Sequence, residues 1–164
     1  MDKITRIIHI ALTVIAWGIF VSSLIRFAAV WDSLPDRIGI HFDSDGGFDV
    51  IGSKNDAAYP YIVSIIALVS CEGLALLSKK IKMGMKISEK GDAKIRTALV
   101  LLLDISKLGF SFFFSGVWAD CVISQRPLDT GIPAAIVLIM LLSFLAFVIA
   151  AVVIKIKCPP EGER

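Results

Sequence analysis

Glu72, Asp104 and Lys107 are ionisable residues set inside otherwise apolar stretches, and their types and spacing define the chemistry available there. Asp104 and Lys107 are three apart and share one helix face, which continues through Ser111, Ser115 and Trp118 as a polar stripe. Counted at about 1.5 Å per residue from the helix ends, Glu72, Asp104 and Lys107 lie about 8, 9 and 13 Å deep. Two carboxylates and one ammonium at one level allow two readings. They form an ionic clamp that fixes how two helices pack, or Lys107 neutralises one carboxylate and the other becomes a proton- or ion-responsive centre, because desolvation disfavours its charged form. Arg26, near the outer end of its helix, is expected to snorkel to lipid headgroups, and His9, near the inner end, to be interfacial.

A second polar set lies between Trp31 and Lys54, with His41, Asp43, Asp45, Asp49 and Lys54 as candidate binding residues. Imidazole with carboxylate suits zinc, and carboxylates alone suit calcium. Asp43-x-Asp45 resembles the start of a calcium loop, but the glycine is differently placed and no glutamate closes the ring. Alternatively, Asp36, Asp43 and Asp49 accept hydrogen bonds from turn amides while His41 packs on the local structure. A third reading gives the acidic surface a cationic or amphipathic peptide as ligand.

The elements that must position these residues follow from composition. The 164-residue chain is 56% hydrophobic and 20% charged, with a mean hydropathy of +0.79. A soluble domain is about 45–50% apolar and about 25% charged, so an ordinary soluble domain, a disordered chain and a basic-patch nucleic-acid binder are all disfavoured. The apolar residues fall in four blocks, at about residues 7–27, 58–77, 98–118 and 132–154, each near the ~20 residues needed to span ~30 Å of hydrocarbon as a helix. The predicted fold is an all-α integral membrane protein, a single domain of four transmembrane helices. Arg26, Phe27 and Trp31 stand where a leader peptidase would need small residues, so the first block is expected to be retained.

Lys3, Arg6, Lys79, Lys80, Lys82, Lys86, Lys90, Lys94, Arg96, Lys155, Lys157 and Arg164 fall on one side of these blocks, against Arg37, Lys54 and Arg126 on the other. The positive-inside rule places the richer side, and both termini, in the cytoplasm. Trp31, Tyr59, Tyr61 and Trp118 form an aromatic belt at the outer ends. The loop at 31–57 is then external, 78–97 is a basic cytoplasmic loop and 155–164 a cytoplasmic tail. Asp32, Asp36, Asp43, Asp45, Asp49, Asp56, Asp120 and Asp129 make the external side acidic. Cys71, Cys121 and Cys158 fall in different compartments, so no internal disulfide is expected; Cys121 faces the oxidising side, where an intermolecular one is possible.

In the external loop Pro35 stops the first helix, Ile38, Ile40 and Phe42 alternate, and Asp43-Ser-Asp-Gly-Gly47 supplies a turn before Phe48, Val50 and Ile51. A small extracytoplasmic β-hairpin is predicted. Its residues resemble the signature LPxxIPxHFxxxGxPDxxGSK of a bacterial membrane domain family found at the N-terminus of SdpI-type immunity proteins. The matching positions are Leu34, Pro35, Ile38, His41, Phe42, Gly46, Asp49, Gly52, Ser53 and Lys54. Gly39 and Phe48 depart from the family's usual prolines, and the resemblance covers about a third of the chain. It implies a bacterial cell-membrane protein giving immunity to a peptide toxin, and permits a cytoplasmic protein partner at the basic loop. No nucleophile–base pair, phosphate loop or clustered metal ligands beyond His41 and its aspartates suggest an enzyme or a cofactor. Three function classes follow: a sensor or immunity protein, a small ion- or proton-coupled transporter or channel-like homo-oligomer, and an accessory subunit.

Overall fold

The computed structural model describes residues 2–78, 80 and 86–160. Lys79, Ile81, Lys82, Met83, Gly84 and Met85 of the predicted basic loop and residues 161–164 of the predicted tail lie outside the described residues. Helix α1 (Lys3–Val30) is followed by strands β1 (Arg37–Phe42) and β2 (Phe48–Ser53), then by helix α2 (Tyr59–Ser78). Helix α3 (Glu89–Phe110) runs into a π-helical segment (Ser111–Trp118) and α4 (Ala119–Ser124), and α5 (Gly131–Lys157) completes the chain. Among the described residues four helical rods are long and apolar enough to cross a membrane, and the hairpin stands between the first two.

The rods run further than the apolar blocks. At its start α1 is capped by Asp2, whose carboxylate accepts from the Thr5 amide at 2.8 Å, a bond that holds the Asp2 carboxyl below its ordinary range. The third rod begins at Glu89, inside the segment expected to be loop. Ser88 caps it by accepting from the Gly91 amide, Glu89 and Asp92 occupy its first turn, and Asp92 pairs with Arg96 at 3.0 Å. Polar residues with good capping chemistry extend a helix past the apolar run that announces it.

The core lies between α1, α2 and the third rod and is closed at one end by the hairpin. Ala16, Phe20 and Phe27 meet Tyr61 and Leu68, while Ile38 and Phe42 pack down from β1. β1 and β2 pair antiparallel from Arg37 with Ser53 to Phe42 with Phe48, with irregular register around His41. Gly46 has φ +86°, and its neighbour is the α4–α5 connection: the Leu128 amide donates to the Gly46 carbonyl at 2.9 Å. Gln125, itself left-handed at φ 47°, accepts from the Gly39 amide at 2.9 Å and donates back to the Gly39 carbonyl at 3.2 Å. The hairpin is thereby tied to the end of the third rod. α5 packs on α3 and contributes no buried residue.

A side chain at position 46 would place its Cβ 1.9 Å from the Leu128 carbonyl oxygen in a left-handed conformation, whereas position 47 would meet only the Asp43 side chain at 3.2 Å. Gly46→Ala is expected to destabilise the protein by about 1–3 kcal/mol, and Gly47→Ala by well under half as much. Thermal unfolding of the detergent-purified variants measures both.

Candidate functional site

Three helices bring their polar residues to one point inside the bundle. On α1, His9, Thr13, Ala16, Phe20, Ser23 and Phe27 recur at intervals of three and four and face the core. On the third rod the matching stripe is Asp104, Lys107, Ser111, Ser115 and Trp118, and α2 presents Glu72. The Lys107 ammonium donates to Glu72 Oε2 at 2.6 Å, to Thr13 Oγ1 at 2.7 Å and to Asp104 Oδ1 at 2.9 Å. An ammonium has three N–H donors, and each finds an acceptor on a different helix. Asp104 and Lys107 are fully buried, while the Glu72 side chain keeps 29% of its exposure at the bundle surface.

The predicted trio is therefore one site, and the sequence reading of His9 needs correction. His9 Nδ1 lies 3.0 and 2.9 Å from the two oxygens of Asp104, so the imidazole belongs to the cluster. Its interfacial placement rested on nearness to the end of the apolar block, but its side chain is only 12% exposed and is turned onto Asp104. Arg26 stays out of the cluster. Its guanidinium pairs with Asp120, which Arg126 holds from the other side, and it donates to Ser124 Oγ at 3.2 Å. Thr13 was not singled out; the signal for it was its position four residues after His9.

The charge balance of the cluster decides what it can do. Two carboxylates and one ammonium sum to −1, and the set becomes neutral only if one further proton resides on His9 or a carboxylate. An uncompensated charge away from water costs several kcal/mol, so the ion pairs and the imidazole contact act as one coupled set. Beyond the cluster the stripe continues toward the hairpin. Ser111 donates to the Ala16 carbonyl at 2.7 Å, and the Ser115 carbonyl, inside the π-helical segment, accepts from the Ser23 hydroxyl. Ser64 Oγ, Ser115 Oγ and Trp118 Nε1 are buried without a hydrogen-bond partner among the described residues.

The hairpin's candidate residues are mostly committed to the hairpin itself. Asp43 accepts from the Asp45 and Gly47 amides, both at 2.9 Å, and so shapes the turn. His41 Nδ1 pairs with Asp49 at 2.7 Å and sets its ring edge-on to Trp118, and the Lys54 ammonium lies 5.2 Å from the Trp31 ring centre. Ser53 accepts from the Asn55 amide and Asp56 from the Ser53 amide, opening the turn into α2. Leu34, Ile38 and Phe42 are buried, and a side chain at Gly52 would strike Ile40 and Asp56. The described residues hold no group of three potential metal ligands. Cys121, expected on an oxidising surface, is 5% exposed and directs its thiol at the Pro127 carbonyl 3.6 Å away, which removes it from reach of an intermolecular partner.

Removing one member of the cluster strands the others. Lys107→Met is expected to cost about 3–5 kcal/mol, whereas Lys107→Met with Asp104→Asn and Glu72→Gln should recover most of that loss. Thermal stability of the two purified variants decides this, and equal losses would refute the coupling. No protein family model, curated protein or solved structure matches this chain.

Proposed function

We propose that the chain is a non-enzymatic, multi-pass bacterial membrane protein, with both termini in the cytoplasm, whose working centre is the His9–Asp104–Lys107–Glu72 cluster. Four rods of spanning length, the absence of any buried residue on α5 and the lysine and arginine asymmetry support the membrane placement. Intramembrane ionisable groups are costly and mark proton or ion pathways and relays. The observation that carries the reading is the buried set of two carboxylates and one ammonium with an imidazole in contact, which needs one exchangeable proton for neutrality. The function is then proton-linked, as a small transporter or a channel-like homo-oligomer. Glu72, whose side chain keeps 29% of its exposure, is the group through which the proton enters or leaves.

A second reading, a sensor or immunity protein for an envelope-active peptide, is favoured by the outer hairpin. Among the described residues β2 pairs with β1 alone, and it exposes Val50 at 45% and Ile51 at 52% next to the exposed Asp49. An open strand edge with apolar and acidic neighbours suits a cationic amphipathic peptide adding as a third strand. The signature resemblance supports the same reading and keeps a cytoplasmic partner at the basic loop in play.

Infrared difference spectra of the reconstituted protein, taken across the pH range over which it stays folded, are expected to report one protonation change in the wild type. Glu72→Gln, which makes the remaining set neutral without that proton, should abolish it. A wild-type spectrum that does not change over this range would leave the cluster a packing clamp and remove the proton-linked reading. For the hairpin, a deletion strain should become more sensitive to cationic envelope-active peptides, and Val50→Asp with Ile51→Asp should fail to restore resistance. Unchanged sensitivity would remove the second reading.

A further inference from the structure

Between the cluster and the hairpin, two fully buried serines on different helices come close to one level. Lys107 on the third rod is bonded to Glu72 on α2 at 2.6 Å. The two helices run in opposite directions, so eight residues toward the hairpin from each lie Ser115 and Ser64. α2 packs on the π-helical segment that holds Ser115. The hydrogen bonds beside them agree with this placement: the Ser23 hydroxyl, which donates to the Ser115 carbonyl, is 3.0 Å from the hydroxyl of Tyr61, one turn from Ser64. On α1 the offset of 95 that joins Ala16 to Ser111 brings Phe20 to the same level.

A serine inside a helix commonly spends its hydroxyl proton on a carbonyl one turn back. Ser78, Ser106 and Ser143 do so, at 2.8, 2.9 and 2.7 Å. Ser64 and Ser115 do not, and both Oγ atoms are buried without a partner among the described residues. Trp118 Nε1, one turn beyond Ser115, is a third such atom. Buried side-chain polar atoms are in the large majority satisfied by protein or by ordered water, because an unmade hydrogen bond in an apolar interior is costly. Two neutral hydroxyls cannot balance an ion. Each offers one donor and two acceptor positions, and a water molecule between them completes both, which is the setting that buried water occupies.

We propose that Ser64 and Ser115 hold an internal water molecule between α2 and the third rod. The water ties α2 to the π-helical segment, on the hairpin side of the Lys107 cluster. With it, polar groups follow one another at intervals of about one turn from Lys107 through Ser111 and Ser115 to Trp118. The site is defined by the two hydroxyls and does not use the proton-linked reading of the cluster.

Two measurements on the full chain in mild detergent test it. The first is thermal unfolding of Ser64→Ala, Ser115→Ala and the double variant. Each single change should lower the melting temperature by roughly 2–4 °C, and the double variant should lose clearly less than the two losses added. A dry hydroxyl behaves in the opposite way, since its removal deletes an unsatisfied group and raises the melting temperature. The second is oxidative labelling by X-ray radiolysis, which makes hydroxyl radicals from water where the water sits. Phe20 and Leu68, both buried beside the serines, should be oxidised severalfold more than Ile95, which is equally buried at the far end of the third rod. That excess should vanish in the double variant. A raised melting temperature in either single variant, additive losses, or wild-type labelling of Phe20 and Leu68 no greater than that of Ile95 would each overturn the proposal. Labelling of the wild type decides the matter even where a variant fails to fold. The infrared titration of the cluster is read separately, so a silent cluster and a dry serine pair are distinct failures.

Discussion

The Lys107 ammonium must find three acceptors in a place where water cannot supply them, and the arrangement of the three core helices follows from that need. Glu72 on α2, Thr13 on α1 and Asp104 on its own helix are the acceptors, and His9 adds a second tie between α1 and Asp104. Apolar packing alone sets helix register poorly among helices covered with Ile, Val and Leu, because one methyl-rich turn substitutes for the next. Polar pairs do not slide. α1 and the third rod run parallel, and their bonds join residues 95 apart for His9 with Asp104, 94 for Thr13 with Lys107, 95 for Ala16 with Ser111 and 94 for Arg26 with Asp120. A nearly constant offset from one end of the rods to the other is what a register fixed by polar contacts looks like.

The same rod that carries the cluster carries the hairpin. Gln125 at the end of α4 bonds both backbone groups of Gly39, Leu128 bonds Gly46, and Trp118 packs against His41 and Phe42. The hairpin is thus an extension of the third rod. Between the two lies the π-helical segment Ser111–Trp118, where the helix is locally widened and two buried polar atoms, Ser115 Oγ and Trp118 Nε1, go unpaired among the described residues. Segments of this kind are less stable than regular helix and recur at functional sites. The Ser23–Ser115 and Ala16–Ser111 bonds join this segment to α1, which holds His9.

Much of this architecture is legible in the sequence, and the parts that are not have a common cause. Four helices and one hairpin follow from block length and from Asp43-Ser-Asp-Gly-Gly, because the cost of unpaired backbone in an apolar medium and the turn preferences of glycine and aspartate are local properties. The grouping of Glu72, Asp104 and Lys107 follows from depth counting. That count compared ionisable residues deep in the blocks, and so passed over the Thr13 hydroxyl and over His9, two residues from a block's edge. Capping by Asp2 and Ser88 lengthens both helices, and capping is governed by polar residues outside the block. The hairpin's polar residues were legible as a set, but their split between turn-shaping, ring packing and exposure depends on Gln125, Trp118 and Leu128, all distant in the chain.

α5 is held by a different principle from the rest. It has no buried residue and no ion pair to the core among the described residues, so its position rests on its ends and on close approach. At one end the Ser88 amide donates to the Cys158 carbonyl at 3.0 Å, and a side chain at Gly91 would come within 2.8 Å of Cys158; further along, Gly109 admits Met140. At the other end the connection through Leu128 is fastened to the hairpin turn. Glycine on α3 lets the backbones approach where van der Waals contact is the main attraction between apolar helices. Between these points the seam with α3 stays open enough to leave grooves beside it. The outermost helix is fastened more firmly at its ends than along its length. The core trio, fixed in register by Lys107, has no comparable freedom.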